Sequence, residues 1–270
     1  MTGISDGDFE RYRRLIYDES GIHFTALNRA ILESRLKERL REREGETALS
    51  YFEKLRSDKG ELRDFLDSIT TNLTRFFRNQ AHFDALEKFV IPALIDVKKN
   101  EGNYHIKIWS AGCATGEEPY TIAMLLAGLL SPPWNFSIIA SDLSLQCLMK
   151  AKEGFYADAH MSGVPETTLR KYFDRAEGGW KIHRDIMAKV RFDYHNLKND
   201  PGFNNIDIVF CRNVLIYFDE AAQRAVIERF WNAMAKKSFL FIGHSESLFG
   251  MRTNFTFVKT PFATLYKKWV

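Results

Sequence analysis

Two adjacent carboxylates, Glu117 and Glu118, follow a glycine-rich turn, Gly112-Cys-Ala-Thr-Gly116, in the middle of the chain. Glycines in such a turn let a ligand approach the backbone closely. Acids at the start of a helix suit the helix dipole, but they repel a pyrophosphate. They attract an amine or a sulfonium, which argues against NAD or ATP and favours a positively charged nucleoside ligand. A purely structural turn is the alternative, and the turn alone does not decide between them.

Polar residues also end two other predicted strands. Asp142 ends the buried run FSIIASD, and Cys211-Arg212-Asn213 end the apolar run that starts at Ile206. In open α/β sheets ligands bind at the carboxyl ends of the strands, and an acid at such a position often takes ribose hydroxyls. A helix cap is the competing role for Asp142. Together, these positions predict a nucleoside site at one edge of a sheet.

The elements that must position these residues begin at about residue 105. From there, short apolar runs alternate with amphipathic helical segments, the first run being His105–Ala111. This alternation predicts an α/β fold with a doubly wound, mainly parallel sheet and a β-rich C-terminal edge. Residues 155–186 interrupt it, and Gly178-Gly179 predicts a hairpin there. An exposed hairpin offers an edge for a peptide strand.

Residues 1 to about 75 predict helices only. Asn28–Glu44 has the clearest helical period, and Arg35, Arg39 and Arg43 form a ridge along it at i,i+4 spacing. The ridge is either a surface laced with ion pairs or a basic face for an acidic partner helix, and the sequence leaves both open. Polar, β-branched residues at 70–74 break the helical pattern, so we expect a domain boundary near them.

Composition narrows the class of protein. The chain has 270 residues, a net charge of +3 and three cysteines without a CxxC pair. The small charge gives no reason to expect nucleic-acid binding, and the cysteines indicate a reducing compartment. The sequence contains no long apolar stretch and no histidines at metal-ligand spacing, so we expect a cytoplasmic protein without membrane insertion or a metal. For His244-Ser245-Glu246-Ser247 we expect a capping role.

Several segments match one family in the same order along the chain: TTNLTRFFRNQAHF, SAGCATGEEPYTIAMLL, ASD, FCRNVLIYF and GHSESL. On these segments the sequence resembles the chemotaxis receptor methyltransferases of the CheR family. The resemblance covers nearly the whole chain, and GEEPY and CRNVLIYF are specific motifs. It implies a Rossmann-like S-adenosylmethionine-dependent methyltransferase fold with an all-helical N-terminal domain and an inserted β subdomain. We expect domains at 1–75 and 76–270, with the insertion at 155–190.

The resemblance also implies the residues that bind S-adenosylmethionine and its product S-adenosylhomocysteine. Matched by motif or by the turn, the cofactor-binding residues are Asn72, Thr74, Arg78, Gly112, Glu118, Asp142, Asn196, Leu197, Cys211, Arg212 and Asn213. Glu117 is the alternative to Glu118, and Asn196 rests on a short local motif. Arg78 and Tyr217 are implied beside the transferred methyl group.

The implied reaction is methyl transfer to glutamate side chains on the cytoplasmic helices of a membrane chemoreceptor. Arg35, Arg39 and Arg43 would face that receptor, a receptor-tail peptide could bind the insertion, and a monomer is expected. Glutamate, with a pKa of about 4.3, is already ionised at neutral pH and needs no general base. Two other interpretations are a non-catalytic adaptor that binds the cofactor or its product as a signal, and an NAD-dependent oxidoreductase. The Glu117-Glu118 pair and the lack of a full G-x-G-x-x-G motif argue against the oxidoreductase.

Overall fold

A computed structural model describes residues 4–43 and 45–270. These residues form two compact units. The smaller unit holds the described residues up to Thr71 together with Ile216–Gln223, and the larger holds Asn72–Leu215 and Arg224–Val270. Within the described ranges, no helix is both long enough and apolar enough to cross a bilayer.

The smaller unit is helical, as the sequence predicts. Its helices are α1 (Asp6–Ser20), α2 (Arg29–Arg41), α3 (Ala48–Ser57) and α4 (Lys59–Ile69). The Ser5 side chain caps α1 by accepting from the Asp8 amide, and Gly21 ends the helix with a positive φ of 78°. The apolar faces of the helices meet in one core, whose fully buried members include Tyr12, Ile16, Leu32, Leu36 and Phe65.

A short segment from the second half of the chain belongs to this helical unit. Ile22 and Phe218 form a β-bridge, and the His23 amide donates to the Tyr217 carbonyl at 2.8 Å. Gly21 leaves room for the Phe218 ring, since a Cβ there would lie 3.1 Å from it. The sequence pattern gave no sign of this grouping, because the segment directly follows a predicted strand of the sheet.

The larger unit contains two sheets. Its strands are β1 (His105–Ala111), β2 (Asn135–Asp142), β3 (Phe155–Ala157), β4 (Phe173–Ala176), β5 (Gly179–Ile182), β6 (Val190–Tyr194), β7 (Ile206–Cys211), β8 (Met234–Ile242), β9 (Thr256–Lys259) and β10 (Thr264–Trp269). The main sheet has the order β6-β2-β1-β7-β8-β10-β9. The strands from β6 to β8 pair in parallel, and β10 is antiparallel to both neighbours. The predicted parallel sheet with a β-rich C-terminal edge is confirmed.

Helices precede β1 and connect the strands of both sheets. They are α5 (Gln80–Ala85), α6 (Ile91–Asn100), α7 (Glu117–Leu129), α8 (Leu145–Glu153), α9 (Glu166–Tyr172), α10 (Arg184–Met187) and α11 (Glu220–Ala233), with a π-turn at Leu86–Val90. Every residue of β7 is buried, as expected of a central parallel strand. Phe210 on β7 stacks on Phe241 of β8 with ring centroids 4.3 Å apart.

The interruption at 155–186 contains the predicted hairpin. β4 and β5 pair in antiparallel fashion around Gly178, which has a φ of 73°. β3 pairs with the other side of β5, giving a small sheet of order β3-β5-β4. β3 has no counterpart among the predicted strands, since three residues are too few to show a period. We call this small sheet with its connecting helices the inserted subdomain.

One predicted strand ends earlier than expected. The sequence favours a strand from Ile206 to Asn213, whereas β7 stops at Cys211. Asn213 has a φ of 60°, a left-handed conformation that cannot continue a strand. The chain therefore turns at Arg212 and Asn213, which places both residues at the carboxyl edge of the sheet.

Candidate active site

The turn after β1 is closely packed on its neighbours. Gly112 has a φ of 81° and Gly116 a φ of 94°, both in the region that favours glycine. A Cβ on Gly112 would lie 2.4 Å from Val214 Cγ2, and one on Gly116 would lie 2.9 Å from the Ala151 Cβ. A side chain at either position would clash with these neighbours, so both positions require glycine. The turn lies against the segment that follows β7.

Asp142 joins the turn to two other parts of the strand edge. Its Oδ2 accepts from the Ala114 amide at 2.8 Å, and its Oδ1 accepts from the Ser144 amide at 2.9 Å. Its carbonyl accepts from the His195 amide at 3.0 Å, just beyond β6. Asp142 is 9% exposed. It has the capping contact that the sequence analysis considered, and it also lies at the strand ends where a ribose is expected.

Glu118 faces the carboxyl edge of the sheet. Its Oε1 accepts from the Ser110 hydroxyl at 2.7 Å, and its Oε2 lies 3.2 Å from Nη1 of Arg212. Burial raises the pKa of Glu118, while the charge of Arg212 and the Ser110 hydrogen bond oppose that rise. A buried carboxylate of this kind gains from a further cationic partner.

Glu117 faces other partners. Its Oε2 accepts from the Thr115 hydroxyl at 2.6 Å, and its Oε1 lies 3.7 Å from Nδ1 of His160 in the inserted subdomain. The Glu117 side chain is 1% exposed, compared with 14% for Glu118. The two neighbouring acids thus have distinct surroundings: Glu118 contacts Arg212 after β7, whereas Glu117 contacts Thr115 and His160.

Arg212 connects three of the motifs. Its Nη1 donates to Glu118, its Nη2 donates to the Arg78 carbonyl, and its guanidinium lies 5.4 Å from the centroid of the Phe83 ring. Its side chain is 3% exposed, and burial lowers its pKa. Its Nε has no hydrogen-bond partner in the part of the chain that the structure describes. A buried guanidinium nitrogen without a partner is costly, and an anionic or carbonyl oxygen of a ligand would satisfy it.

Arg78 lies on a compact loop formed by residues 72–79. Its Nη1 donates to the Leu73 carbonyl at 2.7 Å, which closes the loop on itself. Phe77 has a φ of 55°, and its amide donates to the Thr121 hydroxyl on α7 at 3.2 Å. Such backbone strain in a non-glycine residue is typical of functional segments. Two further predicted cofactor residues lie half-buried on this loop, Asn72 and Thr74.

The structure shows a residue that the sequence analysis did not select for the site. Oε2 of Glu246 accepts from the amides of both Gly243 and Asn213, so it connects the segments after β8 and β7. A Cβ on Gly243 would lie 2.6 Å from that same oxygen. The sequence analysis expected capping by residues 244–247. An acid three residues after a strand-end glycine was the available signal.

The remaining cofactor candidates lie at the ends of β6 and β7. Oδ1 of Asn196 accepts from the Lys198 amide at 2.9 Å, in a local turn beside the end of β2. Leu197 is 8% exposed, and Cys211 is fully buried as the last residue of β7. The structure therefore brings most of the predicted cofactor residues to one edge of the main sheet, and the Arg78 carbonyl joins them through Arg212.

The two residues predicted beside the methyl group fall in different units. Arg78 belongs to the larger unit, whereas Tyr217 belongs to the segment that joins the helical unit. Tyr217 is half-buried, and its carbonyl is held by the His23 amide. Their joint action stays a prediction.

The arginine ridge is largely engaged within the helical unit; Arg35 and Arg39 lie on α2, and Arg43 lies just after its end. Nη2 of Arg39 lies 2.6 Å from Oε1 of Glu61, and Nη2 of Arg43 lies 2.5 Å from its Oε2. Tyr51 donates to the same carboxylate at 2.6 Å. Arg39 and Arg43 are only 16% and 19% exposed, whereas Arg35 is 42% exposed and pairs with Glu38. The expected open face of three arginines is therefore not what the structure shows, since two of them share the Glu61 carboxylate.

The polar groups at the strand ends fit S-adenosylmethionine. Its ribose hydroxyls need acceptors such as Asp142, its ammonium needs a carboxylate such as Glu118, and its carboxylate needs a donor such as Nε of Arg212. These three residues lie on the strand-end segments joined by the contacts above. A mainly parallel sheet with these residues at its strand ends is the arrangement expected of a Rossmann-like methyltransferase that uses S-adenosylmethionine.

Comparisons with known proteins identify the family. A family model described as "CheR methyltransferase, SAM binding domain" matches residues 72–264, and one described as "CheR methyltransferase, all-alpha domain" matches residues 7–70. The chain therefore belongs to the CheR methyltransferase family, as its resemblance implied.

Its relatives match over most of their length. The chain is 34% identical to a chemotaxis protein methyltransferase of Borreliella burgdorferi, over 92% of this chain and 90% of the relative. It is 35% identical to chemotaxis protein methyltransferase 2 of Vibrio cholerae, over 91% and 87%. It is also 35% identical to the chemotaxis protein methyltransferase of Escherichia coli, over 94% and 88%.

Proposed function

We propose that this protein is a protein-glutamate O-methyltransferase that forms methyl esters on the cytoplasmic helices of a membrane chemoreceptor. The observation that carries the proposal is the connection of Glu118, Arg212 and Arg78, which joins three family motifs at the strand ends. The relatives are chemotaxis protein methyltransferases, which supports the class of substrate. We place the reaction in the cytoplasm, where the receptor helices are.

In this proposal, different residues bind different parts of the cofactor. Asp142 would take the ribose hydroxyls, and Glu118, rather than Glu117, would take the ammonium, because Glu118 faces the strand edge. Asn72, Thr74, Asn196, Leu197, Cys211 and Asn213 would line the same site. When bound, S-adenosylmethionine supplies an electrophilic methyl group on a positively charged sulfur.

For this reaction the protein mainly has to position the acceptor carboxylate and the methyl group. An ionised glutamate is already a nucleophile, so no general base is needed. Arg78 would hold one oxygen of the acceptor carboxylate, leaving the other free to attack, and Tyr217 would hydrogen-bond the same group. Catalysis then consists of in-line placement and partial desolvation of the carboxylate. We expect a rate nearly independent of pH above about 6.

We assign receptor recognition to the helical domain, residues 1–75, and propose that the protein acts as a monomer. Of the arginine ridge, Arg35 is the exposed member available to acidic receptor helices, since Glu61 holds the other two. The inserted subdomain offers β3 and β4 as sheet edges. A receptor-tail peptide could add there as a further strand.

The test is methyl transfer from isotope-labelled S-adenosylmethionine to a receptor cytoplasmic fragment, with the modified residues mapped by mass spectrometry. We expect alkali-labile esters on glutamates and loss of transfer in Arg78→Ala. Calorimetry with S-adenosylhomocysteine serves as the parallel measurement, with Asp142→Ala expected to lose binding. Product binding without any methyl transfer would instead support an adaptor that senses the cofactor.

A further inference from the structure

The inserted subdomain contacts two segments of the candidate site. Tyr156 on β3 donates from its hydroxyl to the Thr115 carbonyl at 2.7 Å, within the turn after β1. Its side chain is buried, and a Cβ on Gly116 would lie 3.1 Å from its hydroxyl oxygen. Only glycine at position 116 leaves ordinary space for this contact. Burial also raises the pKa of Tyr156, so the phenol keeps the proton that it donates.

The second contact is with the loop that carries Arg78. Phe76 is 2% exposed and lies edge-on to Tyr156, with ring centroids 4.8 Å apart. It also meets Phe173 of β4, with ring centroids 5.5 Å apart. Two strands of the small sheet therefore hold one ring of the 72–79 loop. Edge-to-face pairs of buried rings are stabilising and fix the relative orientation of the segments that bear them.

We propose that the inserted subdomain is a structural support of the cofactor site, with Tyr156 as its positioning residue. Tyr156 fixes the turn at 112–116 through Thr115 and the 72–79 loop through Phe76. In the sequence, α5, α6 and β1 separate these two segments, and Tyr156 contacts both of them. The role is separate from any docking of a receptor peptide. It rests on the proposed placement of the cofactor at the strand ends.

The variant Tyr156→Phe tests this role because it removes one hydroxyl and keeps the ring. Its matched control is Tyr12→Phe, since the Tyr12 hydroxyl also donates to a backbone carbonyl, that of Ala48, at 2.7 Å, but within the helical unit. Both variants lose a hydrogen bond of the same type, so a general loss of stability would be common to both.

The first readout needs no cofactor: amide hydrogen exchange of the ligand-free protein. In Tyr156→Phe we expect faster exchange in 112–118, where the Thr115 carbonyl loses its donor, and unchanged exchange in 72–79, because the ring against Phe76 is kept. Tyr156→Leu also removes that ring and should speed exchange in 72–79 as well. In Tyr12→Phe we expect unchanged exchange in both segments. The second readout is calorimetry with S-adenosylhomocysteine, where Tyr156→Phe should weaken binding about fivefold. Unchanged exchange in 112–118 in Tyr156→Phe, or unchanged exchange in 72–79 in Tyr156→Leu, would overturn the proposal.

The outcomes also separate this inference from the proposed function. A wild-type protein that methylates glutamates, together with a Tyr156→Phe variant of normal exchange and affinity, would leave the function standing and reject the support. A wild-type protein that binds no S-adenosylhomocysteine would reject the function. The exchange pattern in the ligand-free protein would then decide alone whether Tyr156 holds the two segments.

Discussion

Glu118 and Arg212 lie 94 positions apart in the chain and meet at the carboxyl edge of the sheet, with Nη1 of Arg212 3.2 Å from Oε2 of Glu118. The pair is largely buried, and Arg212 also holds the Arg78 carbonyl. Burial of two charges is costly unless each is paired. The pair therefore fixes three site segments relative to one another.

The neighbouring acids Glu117 and Glu118 allow a matched test of the cofactor's ammonium. Glu118→Gln removes the charge at the strand edge, and we expect it to weaken binding of S-adenosylhomocysteine about 10- to 100-fold, as for a charge-assisted hydrogen bond. Glu117→Gln, whose side chain contacts Thr115 and His160 instead, should change affinity about twofold at most. Calorimetry measures both, and a larger loss in the Glu117 variant would reverse the assignment.

The same carboxylate predicts a pH dependence of binding. Because burial raises the pKa of Glu118, its charge is lost at a higher pH than for an ordinary carboxyl group. We expect cofactor affinity to fall as the pH is lowered through that raised pKa. In Glu118→Gln this decline should disappear, and a decline of equal size in the variant would assign it to another group.

Local patterns predicted the elements well, because burial and period are properties of short segments. β1 has the predicted bounds, since an apolar run that ends at a glycine leaves little freedom for its strand. Local patterns could not predict the contacts of Arg212, because its partners Glu118 and Arg78 are 94 and 134 positions away in the sequence. The i,i+4 spacing predicted Arg39 and Arg43 on one helix face, whereas α2 ends at Arg41 and Arg43 lies just beyond it. Nor could the spacing show that Glu61 on α4 pairs with both.

The contacts of Glu246 predict that its removal weakens cofactor binding, even if its side chain does not touch the cofactor. Glu246→Ala leaves the amides of Gly243 and Asn213 without their acceptor, at about 1–3 kcal/mol each. We expect it to lower cofactor affinity about tenfold through disorder of the Asn213 segment. Glu246→Gln keeps an acceptor oxygen and should restore most of the affinity. Equal losses in both variants would show that the charge matters more than the hydrogen bonds.

A control for this series lies on the same loop. The Ser247 hydroxyl accepts only a local bond from the Phe249 amide among the described contacts. Ser247→Ala should therefore leave binding of S-adenosylhomocysteine unchanged. A loss in this variant would mean that any change in the loop disturbs the site.

The arginine ridge separates a structural role from a recognition role. Arg39→Ala breaks a largely buried pair with Glu61, and we expect the free energy of unfolding to fall by about 2–3 kcal/mol. Arg35→Glu alters an exposed position and should change stability by about 0.5 kcal/mol or less. Arg35→Glu should instead raise the KM for the receptor fragment several-fold, with cofactor affinity unchanged. Denaturant unfolding and methylation kinetics distinguish the two, and an unchanged KM would remove Arg35 from the receptor surface.

His82 predicts how stability depends on pH. It is 4% exposed, and its Nδ1 has no partner within the described residues. Burial, with a contribution from the charge of Arg212, lowers its pKa from 6.5 to about 4. Between these values the unfolded chain binds a proton that the folded protein does not. The free energy of unfolding should therefore fall by about 3 kcal/mol as the pH drops through this window.

The variant His82→Gln isolates that contribution, because glutamine does not titrate. Urea unfolding at several pH values between 7 and 4 gives the slope of stability against pH for each protein. The slope is the informative quantity, since the substitution itself changes stability at every pH. We expect a shallower slope in the variant, by about 3 kcal/mol over the window. Parallel slopes would mean that His82 is protonated in the folded protein, which requires an acceptor close to Nδ1.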